Sequence, residues 1–116
     1  MHKETGNGVI NRTIGDNPVL TRFRSALRKV YGDRLERTVL FGSRARGEAR
    51  TDSDYDIAVF LRDMPDRAAE MDRLADLATD ILYETGECIH ALPYQAGAWR
   101  ERTPIMHEIR ADGVEL

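Results

Sequence analysis

Two aspartates separated by one residue, Asp54 and Asp56, are the side chains best suited to chemistry in this sequence. On a β-strand, residues two apart point to the same face and lie about 6.6–6.8 Å apart. Two carboxylates so placed repel each other unless water or a cation lies between them, and hard oxygen ligands suit Mg²⁺. Asp56 is followed directly by the apolar run 57–61. A solvated loop end therefore explains the charge of Asp56 poorly. The pair therefore indicates a magnesium site, in which two ions about 3.5–4 Å apart can activate an attacking oxygen and steady a leaving phosphate.

A glycine-serine turn, Gly42-Ser43, is the second feature with chemical meaning. It follows an apolar stretch, and Ser43 can cap a short helix beginning at Arg44. Such a turn presents backbone N–H groups, a hydroxyl and a helix N-terminus to one point, which suits a phosphate. Arg44 and Arg46 add positive charge nearby, and Gly47 lets the chain turn away without a Cβ clash. Taken alone, this dipeptide is more often an ordinary strand–turn–helix connection with solvated arginines.

The elements that must position these residues are predicted by local patterns. Helices begin at a proline, usually after a cap residue, and end at glycine, whereas strands are short β-branched apolar runs. We predict helices from Pro18 to Gly32, from Pro65 to Gly86 and from Pro104 to near Gly113, and strands over residues 37–41, 56–61 and 87–93. The order α, β, β, α, β, α indicates one α/β (α+β) domain around a small sheet.

Apolar stripes at helical spacing identify the core-facing sides of two helices. The first stripe is Val19, Leu20, Phe23, Ala26, Leu27, Val30 and Tyr31. The second stripe is Leu74, Leu77, Ala78, Ile81 and Leu82. Cys88 is expected to be a small buried hydrophobic side chain, and Trp99 either covers the core or meets a partner.

Length and composition limit the class of protein. The chain has 116 residues, which predicts one compact domain over residues 17–116 after a polar, flexible N-terminal arm, residues 1–16. A mean hydropathy of −0.50 without a long apolar run excludes a transmembrane helix, and the first residues lack the apolar region of a signal peptide. One cysteine cannot form an internal disulfide, and the net charge of −3 argues against a sequence-independent nucleic-acid binder. We therefore expect a cytoplasmic domain without a membrane or nucleic-acid partner.

Three short motifs, in this order and spacing, resemble the signature of the DNA polymerase β-like nucleotidyltransferases. The motifs are Gly42-Ser43, Arg46-Gly47 and Ser53-Asp54-x-Asp56. From about residue 18 to residue 116 the chain resembles the minimal nucleotidyltransferase (MNT) domain proteins. The resemblance implies a mixed sheet flanked by helices, two Mg²⁺ ions, and transfer of a nucleoside monophosphate from a nucleoside triphosphate with loss of pyrophosphate. It assigns phosphate binding to Gly42, Ser43, Arg46 and Arg44, and metal binding and catalysis to Asp54 and Asp56.

The sequence departs from the family on the third strand. Active members usually carry a third carboxylate there, as a metal ligand and candidate general base, but the matching position here is His90. Three alternatives follow. His90 replaces the carboxylate as base, since imidazole titrates near neutrality; Glu87 reaches the site from the start of the strand; or the third function is lost and nucleotide binding persists with weakened or absent transfer.

The short chain leaves little room to hold an acceptor, which must come from a partner or bind shallowly. MNT proteins commonly pair with a small helical HEPN-domain protein as the antitoxin half of a toxin–antitoxin system. The resemblance implies neutralisation of such a partner by transfer of AMP from ATP to a tyrosine, by masking, or by both. An inactive fold that only binds its partner, and transfer to an aminoglycoside-like small molecule, are the alternatives. The base preference and the homo- or hetero-oligomeric state stay open.

Overall fold

Four strands form one mixed sheet in the computed structural model, which describes residues 16–50 and 52–116. The strands are β1 (Leu35–Phe41), β2 (Tyr55–Leu61), β3 (Ile89–Gln95) and β4 (Val114–Glu115). Their order across the sheet is β3-β2-β1-β4; β1 is antiparallel to β2 and β4, whereas β2 and β3 are parallel. The expected small mixed sheet is confirmed. The predicted arm, residues 1–16, lies outside the described residues except for Asp16.

Helices flank this sheet. Those in the described residues are α1 (Pro18–Tyr31), α2 (Ser43–Arg46), α3 (Arg67–Thr85) and α4 (Pro104–Asp112), with 3₁₀ turns at Gly32–Arg34 and Ala96–Arg100. The predicted caps start α1 and α4. Asn17 Oδ1 accepts the N–H groups of Val19 and Leu20 at 2.8 and 3.2 Å, and Thr103 Oγ1 accepts that of Met106 at 3.2 Å. Over the described part of the chain, no helix is long and apolar enough to cross a membrane.

Several boundaries differ from the prediction, and β1 begins at Leu35, two residues earlier than expected. α3 begins at Arg67 rather than Pro65, because the Asp66 side chain accepts the N–H group of Ala69 at 3.1 Å and caps the helix there. β3 begins and ends two residues later than expected, and Pro93 is tolerated inside it because β3 is an edge strand. β4 has no sequence signal, since two residues carry no periodicity.

Both faces of the sheet are covered. On one face, α1 and α3 contribute to a core that contains Phe23, Leu27, Leu40, Ile57, Val59, Leu74 and Ile81. On the other face, α4 contributes to a core that contains Val39, Phe41, Ala58, Phe60, Met106 and Ile109. Trp99 packs edge-on against Phe60 with ring centroids 5.5 Å apart, so it covers this second core. Asp56 alternates with Ala58 and Phe60 along β2 and therefore points to the α4 side.

The burial of three side chains departs from the predicted stripes. Val30, in the last turn of α1, is 43% exposed, and Leu82, at the edge of the α3 stripe, is 42% exposed. Glu70 is instead buried, at 4% exposure. Its carboxylate oxygens lie 2.7 Å from an Arg34 nitrogen and 2.8 Å from an Arg73 nitrogen. Because both arginines pair with it, the Glu70 carboxylate can be buried, whereas an unpaired glutamate on a helix would face solvent.

Candidate active site

The turn after β1 is built around Gly42. Its φ of 77° lies in a region that residues with a side chain rarely adopt. A Cβ atom at this position would lie 2.5 Å from Asp56 Oδ2. Two independent constraints therefore require glycine, and together they place the backbone of the turn against the carboxylate of Asp56.

The expected role of Ser43 as a helix cap is wrong. α2 begins at Ser43 itself, and Gly42 takes the N-cap position without a side-chain hydrogen bond. The first hydrogen bonds of α2 run from the N–H groups of Ala45 and Arg46 to the Gly42 carbonyl, at 3.1 and 3.2 Å. The Ser43 N–H group lies before these first hydrogen bonds of the helix. It and the Ser43 hydroxyl are therefore at the N-terminal end of α2, the end of a helix where anions bind. Gly47 ends α2 with φ 75°, which confirms the predicted turn.

Asp54 and Asp56 face the same side of the sheet. Tyr55, which lies between them, is buried on the opposite side under α1. Asp54 is exposed just before β2, whereas the Asp56 side chain is 32% exposed and pairs in register with Phe41 of β1. The pair therefore offers carboxylate oxygens at the end of β2 that adjoins the Gly42 turn.

His90 lies beside Asp56 in the parallel pairing of β2 with β3. Its Nδ1 atom is 3.4 Å from Asp56 Oδ1, and its side chain is 60% exposed. The structure thus brings beside Asp56 the residue that the sequence analysis matched to the family's third carboxylate. Within residues 16–50 and 52–116, no three His, Cys, Asp or Glu side chains already lie close enough to hold one ion.

The donor chemistry of the two aspartates fits Mg²⁺. This ion is usually bound by one or two carboxylates together with water and substrate phosphates, not by a complete protein cage. Asp54 and Asp56 supply two carboxylates, and the close approach of Gly42 to Asp56 places the N–H groups of the turn beside them. A phosphate and a hard cation can therefore meet at this point.

Cys88 is exposed, so its expected burial is wrong. β3 begins at Ile89, which leaves Cys88 at the open end of the sheet. Partial burial, together with the negative charge of Asp54, raises the pKa of the thiol. Cys88 therefore lacks the lowered pKa of a reactive cysteine.

Arg44 joins α2 to the segment that carries Asp54. Its Nε donates to the Ser53 carbonyl at 2.9 Å, and its guanidinium lies 3.9 Å from the centre of the Tyr55 ring. Glu87 Oε1 is 3.6 Å from the same guanidinium. Arg44 thus holds the start of β2 against α2, and Glu87, the alternative third carboxylate, faces Arg44. The local sequence could not predict this positioning role of Arg44, because its contacts are with residues of other elements, distant along the chain.

Arg46 is surrounded by carboxylates. Its Nε donates to Glu48 Oε1 at 2.9 Å, and its Nη1 lies 3.7 Å from carboxylate oxygens of both Glu108 and Asp112. The hydrogen bond to Glu48 and the neighbouring negative charges raise the pKa of the guanidinium. A phosphate that recruits Arg46 therefore has to compete with two acids of α4.

Comparison with known proteins places this geometry in a family. The family described as "Polymerase beta, Nucleotidyltransferase" matches residues 27–116. A relative from Methanocaldococcus jannaschii, named "Putative protein adenylyltransferase MJ0141", is 26% identical over 98 residues, which are 84% of this chain and 95% of the relative.

Two solved structures share the fold. One, described as a toxin-antitoxin with AMP-PNP, is 21% identical with a TM-score of 0.56, over 80% of this chain and 68% of the other. The second, a tri-AMPylated Shewanella oneidensis HEPN toxin in complex with MNT antitoxin, is 17% identical with a TM-score of 0.50, over 84% and 70% of the two chains. These likenesses confirm the nucleotidyltransferase fold.

Proposed function

The chain belongs to the polymerase beta nucleotidyltransferase family, and we propose that it transfers AMP from ATP to a hydroxyl group of a partner protein. One observation carries the proposal: the backbone of the Gly42 turn abuts the carboxylate of Asp56, so phosphate and cation sites adjoin. The name of the M. jannaschii relative supports adenylyl transfer to protein, and the AMP-PNP in a related fold supports ATP as the donor.

The turn binds the triphosphate. The Ser43 N–H group and hydroxyl, with the Gly42 backbone, donate to the β- and γ-phosphates, and Arg46 contributes charge after leaving its carboxylate partners. Asp54 and Asp56 would hold two Mg²⁺ ions, which would supply neutralisation of the phosphate charge and activation of the acceptor oxygen. Arg44 keeps the segment before β2 in place for this set.

The acceptor oxygen attacks the α-phosphorus, the bond from that phosphorus to pyrophosphate breaks, and the hydroxyl proton passes to a base. Two features support His90 as that base: its Nδ1 lies 3.4 Å from Asp56 Oδ1, and its side chain is mostly exposed. With Nδ1 directed at the carboxylate, Nε2 is the nitrogen that accepts the proton.

The acceptor is a tyrosine of a HEPN-type toxin, with this chain as the antitoxin. The tri-AMPylated HEPN toxin bound to an MNT antitoxin in a related fold supports this choice. The exposure of His90 and Asp54 also favours a protein acceptor, since a side chain on a partner surface can enter an open site.

A binding module without transfer is the second candidate function. Two features favour it: the resemblance puts His90 where active members carry a carboxylate, and Arg46 is paired with Glu108 and Asp112. In that case the chain masks its partner, and nucleotide binding is weak.

Incubation with a HEPN-type protein from the same genome, Mg²⁺ and ATP labelled at either the α- or the γ-phosphate separates the two functions. AMP transfer deposits the α label, but not the γ label, on the partner. Asp56→Asn should abolish labelling, whereas Asp76→Asn, an exposed acid on α3, should leave it unchanged. A tight complex without label from wild-type protein supports the binding module.

A further inference from the structure

One of the four tyrosines of this chain projects from the protein surface. Tyr31 and Tyr55 are buried, at 4% and 5% exposure. Tyr94 is partly buried and stacks on the ring of Phe60, with ring centroids 5.5 Å apart. Tyr83, in the last turn of α3, is 83% exposed. Among the four, its hydroxyl is therefore the one that another protein can reach without disturbing the core.

The Tyr83 ring points away from the sheet. Because an α-helix turns by about 100° per residue, Tyr83 lies about 200° around α3 from Ile81. Ile81 is fully buried in the core between α3 and the sheet. Burial of an aromatic ring usually contributes strongly to stability, and Tyr83 makes no such contribution to this core. The side chain is thus free to enter a site on another molecule.

Tyr83 and the paired aspartates lie on opposite sides of the sheet. α3 contributes to the core on one face, whereas Asp56 points to the α4 side. The sheet therefore separates the Tyr83 hydroxyl from the Asp56 carboxylate of the same chain. The candidate active site itself is open, because Asp54 is exposed and the His90 side chain is 60% exposed. Tyr83 can consequently reach the site of a second copy but not its own.

Tyr83 is also the best acceptor among the three hydroxyl groups of α3. The hydroxyls of Thr79 and Thr85 donate to the backbone carbonyls of Ala75 and Ile81, each at 2.8 Å, so both are engaged within the helix. A phenol loses its proton more readily than an aliphatic alcohol does. Its oxygen is also carried farther from the helix backbone, which favours entry into a site on another molecule.

We infer that Tyr83 accepts AMP from a second copy of this chain, an inference that rests on the proposed transfer of AMP to a protein hydroxyl. The Tyr83 oxygen attacks the α-phosphorus of ATP held by the other copy. The bond from that phosphorus to pyrophosphate breaks, and the phenolic proton passes to the base of that site. The products are a phosphodiester that joins Tyr83 to AMP, and free pyrophosphate.

A mixture of two variants tests transfer between copies. Asp56→Asn removes a carboxylate of the site but keeps the acceptor, whereas Tyr83→Phe keeps the site but removes the acceptor. With Mg²⁺ and ATP labelled at the α-phosphate, neither variant alone should become labelled. Their mixture should label the Asp56→Asn chain, which an affinity tag separates from the other. If wild type labels itself but the mixture stays unlabelled, the transfer is within one chain and the inference is overturned.

Peptide mass mapping and kinetics locate the acceptor. Wild-type protein should carry AMP on Tyr83, and the matched control Tyr94→Phe should keep the label that Tyr83→Phe loses. Each change removes one hydroxyl and retains the ring, and circular dichroism checks that both variants are folded. Because two copies must meet, doubling a dilute chain concentration should raise the initial rate of self-labelling about fourfold. A label on another residue, or a rate that only doubles, would overturn the inference.

Addition of the HEPN-type partner separates this inference from the proposed function. Tyr83→Phe should label the partner at the wild-type rate, because Tyr83 lies on the side of the sheet away from the site. If the partner is labelled but the wild-type chain alone is not, Tyr83 is rejected as an acceptor and the transferase is retained. Label on Tyr83 without label on the partner retains the inference and rejects the partner as the acceptor. Absence of label from both proteins rejects both proposals.

Discussion

The Nδ1 atom of His90 lies 3.4 Å from Oδ1 of Asp56, its register partner on the neighbouring parallel strand. This contact joins the residue that departs from the family signature to a residue that belongs to it. In the proposed function, this position lets the imidazole take the proton of the acceptor hydroxyl.

Replacement of His90 tests its role as base. A positioned general base contributes about 10²- to 10⁴-fold, so His90→Ala should reduce the rate of AMP transfer by about 10²-fold or more while ATP binding is retained. His90→Asp, which restores a carboxylate, should recover transfer. Rapid-quench measurements of partner labelling give the rates, and His107→Ala serves as the matched histidine control. Unchanged turnover in His90→Ala would remove His90 from catalysis.

Gly42→Ala should damage both the turn and the site. A positive φ costs a non-glycine residue about 1–3 kcal/mol, and here the new Cβ would also meet the Asp56 carboxylate. We expect a lower free energy of unfolding in urea and loss of AMP transfer. Gly86→Ala carries the same positive φ but meets open space, and Gly97→Ala carries neither constraint. Gly86→Ala should therefore lose stability alone, and equal activity in Gly42→Ala and Gly86→Ala would contradict the proposed contact.

Release of Arg46 from α4 should favour nucleotide binding. Glu108→Gln with Asp112→Asn removes two carboxylates that lie 3.7 Å from its guanidinium, which leaves the charge more available to a phosphate. Calorimetry with an ATP analogue that cannot be cleaved should show several-fold tighter binding, and Arg46→Ala should show weaker binding. Glu101→Gln, an exposed acid before α4, is the control. If the double variant binds the analogue as wild type does, Arg46 takes no part in phosphate binding.

The buried Glu70 should make stability depend on pH. Burial opposes its ionisation, but the hydrogen bond from Arg34 and the positive charges of Arg34 and Arg73 outweigh burial and lower the pKa of the carboxyl below 4.5. A lowered folded-state pKa stabilises the protein above the unfolded value, and this stabilisation is lost as the pH falls through the folded pKa. The same environment, mainly burial, raises the pKa of Tyr31 to about 12.

Glu70→Gln should therefore lower the free energy of unfolding by about 1–3 kcal/mol at pH 7, since two arginines lose a charged partner. The difference from wild type should shrink as the pH falls below 4.5. Urea denaturation at several pH values measures both effects. Glu84→Gln, whose partner Arg22 lies in an exposed pair, should change stability little at any pH. A pH-independent difference for Glu70→Gln would show that packing rather than charge is responsible.

The glycine-serine turn and the paired aspartates could be predicted from the sequence because their geometry is local. Gly42 and Ser43 are adjacent, and Asp54 and Asp56 are related by the two-residue repeat of a strand, so their spacing follows from chain geometry. The helix caps at Asn17 and Thr103 were predictable for the same reason, since each cap contacts residues two or three positions away.

Only the tertiary structure decided which distant groups meet in the site. The parallel register of β2 and β3 sets His90 beside Asp56, and a register is not encoded in either strand alone. Packing of α4 against the sheet likewise directs two acids at Arg46. These contacts depend on how elements align across tens of residues, which local periodicity cannot specify. The sequence by itself determined the glycine-serine turn and the spacing of the two aspartates, whereas strand register and helix packing decided which groups lie beside them.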